Sequence, residues 1–218
     1  VIVVPNSLHV ALSPVIGGKG KGVIKEDLTK EEISTVAYLA SGLQLEAYDV
    51  VSRVEEPFQD LLSGARRWLR REHVDLDVPN EGEESDLHRN LKAFAVKHLI
   101  EKEGIDPKAI FVEVYVDRLK PDIITPNLAA DAKTSIGVLP SDEVLDATKY
   151  SSISKRIWVV LSPLPLLLEL DGVTGRVREA REKGIELDVV VSTKDGLLKL
   201  REFLEEGRKY YEGLKGGG

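Results

Sequence analysis

Apolar and polar positions follow two different periods along this chain, and the change from one to the other divides it. Thr29-Lys30-Glu31-Glu32 has the spacing of a capping box, and Ile33, Val36, Ala37 and Ala40 follow at helical intervals until Gly42 supplies a stop. A second helix is predicted over 44–54. Pro57, at a first helical turn, opens a third, in which Phe58, Leu61, Leu62, Ala65 and Leu69 form an apolar stripe. The stretch 75–84 is acidic, carries Pro79 and Gly82, and reads as a linker. Beyond it, Leu87, Leu91, Phe94, Ala95 and Leu99 mark an amphipathic helix over 85–103, closed by Gly104.

The period then shortens to that of strands. Residues 109–116, 123–125 and 128–135 read as three strands of an antiparallel meander, the last two joined by a turn at Pro126-Asn127. A helix over about 141–152, a strand over 156–161, a helix near 173–183, a strand over 186–191 and a C-terminal helix from about 194 complete the pattern. The order αβββαβαβα predicts an α/β domain over 81–218, preceded by a mostly helical extension over 1–80. The glycine-rich loop Gly17-Gly18-Lys19-Gly20-Lys21-Gly22 lacks the spacing and the hydroxyl of a phosphate-binding loop and reads as a solvated basic loop.

Composition narrows the chemistry. With 42% hydrophobic and 31% charged residues in 218, the chain has enough apolar surface to fold around a sizeable core. Cysteine is absent, which removes disulfides, thiolate catalysis and cysteine-ligated metals, so any metal must be held by oxygen or imidazole. No run approaches the ~20 apolar residues of a membrane span, and Val1 to Val4 is too short for a signal peptide, so a cytoplasmic protein without membrane contact is expected. Gln44 and Gln59 are the only glutamines among abundant Glu, Lys and Arg, a balance associated with thermophiles. The formal charge of −7 opposes non-specific adhesion to a polyanion, so a nucleic-acid role requires a local basic face.

The candidate chemistry lies in the meander. Pro121-Asp122 begins one strand and Asp131-Ala132-Lys133 lies on the next; alternation puts Asp131 and Lys133 on one face, so two carboxylates and an amine can converge. Carboxylate oxygens suit magnesium, and a lysine beside them can orient water or stabilise developing negative charge. The histidines His9, His73, His88 and His98 lack the spacing of zinc hydrolases. Trp158, in an apolar run, is expected in the core, and Glu113 and Asp117 are expected to be exposed on the preceding strand.

The pair Pro121-Asp122 and Asp131-Ala132-Lys133, with its αβββαβ context, resembles the PD-(D/E)xK nuclease superfamily over about residues 84–200. The resemblance implies a restriction-endonuclease-like core: a mixed central sheet flanked by helices. It implies an endonuclease acting on DNA with magnesium, or manganese in its place. Asp122, Asp131 and Glu84 would be metal ligands joined by the Ala132 carbonyl, and Lys133 would assist the attacking water. His88 is a phosphate-contact candidate, and Arg118, Lys120, Lys149, Tyr150, Lys155 and Arg156 are secondary candidates for the same role. Arg66, Arg67, Arg70 and Arg71 read equally as a phosphate patch and as cations complementing a helix C-terminus. Two alternatives stand beside this reading: a nuclease fold that binds or scaffolds DNA without turnover, and a junction resolvase working as a homodimer.

Overall fold

The computed structural model describes residues 3–5, 23–25, 55–72, 85–134, 138–193 and 196–216. The helices predicted over 29–42 and 44–54, the loop 17–22, the linker 75–84 with Glu84, and His9 and His73 lie outside the described residues. The first elements are β1 (Val3–Pro5) and β2 (Val23–Lys25), a short parallel pair. They are followed by α1 (Glu55–Arg71) and α2 (Asp86–Glu101).

Helix α2 starts and stops where local chemistry dictates. Ser85 is the N-cap, its hydroxyl accepting the His88 N–H at 3.2 Å, a cap whose loss typically costs ~1 kcal/mol. At the other end Gly104 takes φ +68°, which lets Ile105 N–H reach back to the Leu99 carbonyl at 2.9 Å and closes the last turn.

The main sheet has six strands in the order β3-β4-β5-β6-β7-β8, and numbering along the chain equals order in space. These are β3 (Phe111–Val112), β4 (Ile123–Thr125), β5 (Leu128–Lys133), β6 (Arg156–Leu161), β7 (Glu186–Thr193) and β8 (Gly196–Lys199). The first three form the expected antiparallel meander; β5, β6 and β7 run parallel; β8 returns antiparallel to β7. Strands β5 and β6 are buried along nearly their whole length because helices cover both faces, which parallel strands require.

Alternation sorts the side chains into two clusters. On one face Ala129, Ile157, Val159, Val189 and Val191 pack beneath α3 (Pro140–Ala147), a 3-10 segment (Thr148–Ser152), α4 (Pro163–Leu168), α5 (Leu170–Glu182) and α6 (Leu200–Gly216). On the other face Ala130, Ala132, Trp158, Val160 and Val190 pack against Leu91, Ala95 and Leu99 of α2, joined by Leu62, Ala65 and Leu69 of α1. Trp158 is in the core, as its apolar run indicated.

Four features differ from the sequence pattern. The strand expected over 109–116 shrinks to Phe111–Val112, since Glu113 turns the chain into a left-handed conformation at φ +54°. The helix expected over 141–152 tightens into 3-10 geometry from Thr148. Pro163 at a first helical position starts α4, which was not anticipated. The C-terminal helix begins at Leu200 rather than near 194, because Gly196, at φ +120°, opens β8 first. A Cβ at Gly196 would lie 3.0 Å from His98 Nδ1, so a side chain there would also press on the imidazole. No described helix is long and apolar enough to cross a membrane.

Candidate active site

The tight turn at Pro126-Asn127 makes β4 and β5 neighbours in the register Ile123↔Ala130, and one position further Asp122 meets Asp131. Ladder pairing stops there and side chains take over. Asp122 N–H donates to Asp131 Oδ1 at 3.2 Å, while Ala132 N–H donates to Asp122 Oδ2 at 2.7 Å. Each strand end is thus clamped to the other by a carboxylate.

Asp131 shares the sheet face of Ala129 and lies beneath α3, only 3% exposed. The Tyr150 hydroxyl sits 3.0 Å from both its carboxylate oxygens, and Lys133 Nζ lies 3.3 Å from Oδ2. Lys133 also meets Glu143 Oε2 at 3.0 Å. Helix α3 and the 3-10 segment carry Glu143 and Tyr150, and α3 is anchored from a distance. Glu169 accepts from Ser141 N–H at 2.9 Å and from Ser141 Oγ at 2.8 Å, placing negative charge at the positive end of the helix.

From the opposite face α2 supplies His88, whose Nε2 lies 3.3 Å from Asp122 Oδ2. One turn later the same helix carries Lys92, whose side chain has no exposed surface and pairs with Glu113. Glu113 in turn lies 3.2 Å from Lys120 Nζ.

Burial opposes ionisation of each acid here, and the neighbours decide the outcome. At Asp122, burial raises the carboxyl, but the hydrogen bond and charge of His88, the Ala132 N–H and the charge of Lys92 bring it below the ordinary carboxylate value. At Asp131 burial and the nearby Asp122 charge outweigh Lys133 and Tyr150, so its carboxyl is raised. Two adjacent carboxylates thus titrate apart. Glu113 is lowered: burial raises it, and Lys92 and Lys120 more than compensate. Burial would lower the Lys133 amine, yet Asp131 and Glu143 raise it, so it stays an ammonium. Burial and Asp131 raise the Tyr150 phenol, which remains a donor.

Of the residues singled out in the sequence, Asp122, Asp131, Lys133, His88 and Tyr150 come together, with buried Ala132 between the acids. Glu84 lies outside the described residues. Lys120 belongs to the Glu113 cluster, and Arg118 is exposed on the adjoining turn. Lys149 pairs with Asp146 at 2.6 Å and lies over the Tyr150 ring. Arg156 faces Glu103 and Glu186 and stacks on Trp158, and Lys155 is exposed. On α1, Arg67, Arg70 and Arg71 are exposed, whereas Arg66 reaches Asn90 Oδ1 at 3.5 Å and Asp86 at 3.7 Å.

Glu113 is corrected: its side chain is 10% exposed and ion-paired rather than solvated. Asp117 is exposed, as expected. Lys92 and Glu143 were not anticipated. The signal for Lys92 was a lysine inside the otherwise apolar run from Leu91 to Val96, one turn after His88; Glu143 carried none, since an acid in the first turn of a helix has a sufficient structural reason.

The oxygen donors of Asp122 and Asp131 match the way magnesium is commonly held, by one or two carboxylates with water and phosphate supplying the rest. Among the described residues no group of three or more His, Asp or Glu side chains is arranged to hold a metal ion. The six-stranded mixed sheet flanked by helices is an α/β architecture compatible with a restriction-endonuclease-like core and shared by other folds. No protein-family model, curated protein or solved structure significantly matches the chain.

Proposed function

We propose that this chain is a magnesium-dependent endonuclease that hydrolyses phosphodiester bonds in DNA. One observation carries the reading: Asp122 and Asp131 are locked together at the end of paired strands, with the Lys133 ammonium 3.3 Å from Asp131 on the same face. Magnesium bound there would supply neutralisation of the phosphate and a more acidic attacking water. In this reading Asp122 and Asp131 are the ligands, with Glu84 and the Ala132 carbonyl as further donors. Lys133 holds its proton and presents a positive charge to the developing phosphorane oxygen. Tyr150 fixes the Asp131 rotamer by donating to it, and His88 does the same for Asp122 from the other face.

Incubation of the purified chain with linear, single-stranded and branched DNA, in magnesium and in EDTA, tests the proposal. Cleavage should require the metal and fall by roughly 100-fold or more in Asp131→Asn and Lys133→Ala, the scale of removing one charge-stabilising group from an active site. Cleavage that survives in Asp131→Asn would show that another centre or a contaminant does the work. A second reading, a nuclease fold that binds DNA without turnover, is favoured by the occupied state of Asp131, whose oxygens already face Tyr150, Lys133 and Asp122 N–H. DNA binding with no product from wild type under any of these conditions would select it.

A further inference from the structure

Between β3 and β4 the chain leaves the sheet and returns as a small hairpin. Glu113 N–H donates to the Asp122 carbonyl at 3.0 Å, and Val116 and Leu119 exchange both backbone bonds at 2.8 and 2.9 Å. The two residues at the tip, Asp117 and Arg118, take φ +46° and +70°, and Glu113 at the base takes +54°. Turns of this kind usually use asparagine, aspartate or glycine, because a Cβ crowds the backbone in the left-handed region; Asp117 suits its place, and Glu113 and Arg118 do not. Two such residues persist in one short loop only where the surroundings over-determine it. Here they do: Lys92 and Lys120 hold Glu113, and the Tyr150 hydroxyl lies 3.4 Å from the Lys120 carbonyl.

The hairpin and the adjoining end of β3 display two aromatic rings and two cations, with one exposed acid, Asp117, beside Arg118 at the tip. Tyr115 is 71% exposed and Phe111 52% exposed, the Lys120 ammonium lies 5.8 Å from the Tyr115 ring centroid, and Arg118 is exposed at the tip. A tyrosine so exposed adds little to the core, and it sits on the hairpin that leads into Asp122 and carries the positive-φ non-glycine residues of the described chain. An aromatic face flanked by cations complements a nucleobase and its phosphates, since every base has a π-face and every linkage a negative charge.

We propose that Tyr115 is a base-stacking residue and that this hairpin receives an unpaired nucleotide, with Arg118 and Lys120 toward its phosphates. The proposal rests on the nuclease reading for the polymer and goes beyond it in naming the substrate class. Bases inside an intact duplex already stack on each other, so the site selects single-stranded, frayed or branched DNA.

The test measures binding of labelled oligothymidylate and of a closed duplex by fluorescence anisotropy in EDTA, where cleavage cannot intervene. Tyr115→Ala should bind the single strand roughly 5- to 150-fold more weakly, the range of base–aromatic stacking, while duplex binding and thermal stability stay unchanged. Tyr115→Trp should retain single-strand binding. Wild-type affinity in Tyr115→Ala, equal loss on both DNAs, or a fall in solution mass marking the edge at β3 as a contact between copies would each overturn the proposal.

Magnesium-dependent cleavage, read separately with Asp131→Asn, keeps the two readings apart. A chain that cuts DNA but binds it equally with and without Tyr115 loses only the stacking role. Binding that depends on Tyr115 in a chain that never cuts removes only the nuclease. A wild-type chain that binds neither DNA overturns both.

Discussion

Replacing Lys92 by methionine removes an ammonium whose side chain is fully buried and leaves Glu113, 10% exposed, with Lys120 at 3.2 Å as its remaining cation. Methionine keeps nearly the same length and apolar volume, so packing changes little and the loss is electrostatic. Breaking a buried pair from one side strands the other charge and costs about 3–5 kcal/mol. Glu113→Met should cost a similar amount by stranding Lys92. The double variant, with both charges gone, should be more stable than the sum of the two losses predicts by about 2–3 kcal/mol. Urea unfolding of the four proteins at neutral pH measures this cycle. Additivity within about 0.5 kcal/mol would refute the claim that the pair acts as a unit.

The pH dependence gives an independent check. Glu113 is held below its ordinary value, so as pH falls the unfolded chain takes up the proton first and stability declines with it. The contribution is complete above the unfolded glutamate value near ~4.3 and is lost as pH falls through the lower folded value. The gap between wild type and Lys92→Met should therefore narrow in acid. A gap that widens below pH ~4 would show that the pair is not ionised as described.

Tyr150→Phe removes the hydroxyl that faces both oxygens of buried Asp131, and should lower stability by about 1.5–3 kcal/mol in the same unfolding assay. Burial holds His98 below its ordinary value, and its Nδ1 accepts Leu197 N–H at 3.1 Å. Wild type should lose stability as pH falls from the unfolded histidine value near ~6.5 toward the lower folded value, and His98→Phe should lack that segment of the curve. Glu169→Ala deprives the first turn of α3 of its carboxylate and should cost about 1–2 kcal/mol, with Glu169→Gln recovering part of it in thermal melts.

The parts of this fold that could be read from the sequence are those where a single local rule acts without competition. Strand β6 occupies 156–161 as expected, since its apolar run needs no partner to identify it. Helix α2 ends where Gly104 stops it, and Pro126-Asn127 turns the chain where the pattern placed it. Asp131 and Lys133 share a face because alternation along a strand is geometric. The misreadings arise where tertiary contacts override the local pattern. Residues 113–116 have strand composition, yet the pull of Lys92 and Lys120 on Glu113 turns the backbone out of the sheet. Residues 196–199 continue smoothly into a helical pattern, but His98 from α2 captures the Leu197 N–H and holds the segment as a strand. Lys92 lies 21 residues from Glu113 and His98 lies 99 from Leu197, so no local window carries those contacts, although Lys120 and Gly196 are close by.

The same long-range contacts bear on how an occupied aspartate would serve the proposed nuclease site. A carboxylate offers about four lone-pair positions, and those of Asp131 face one phenol, one backbone N–H and one ammonium. Three donors on about four positions leave one for a cation, and a donor that turned away would open a second. The backbone N–H of Asp122 is fixed by the strand, and Tyr150 is packed in the core at 2% exposure. Lys133 is 21% exposed on its side chain and already has a second acceptor in Glu143 at 3.0 Å, so it alone can turn away without stranding its charge. Glu143 therefore serves as the alternative seat for that ammonium. In the proposed nuclease this would give an acid on α3, which no motif requires, a part in the site: the cluster could open toward a substrate without leaving the Lys133 ammonium unpaired.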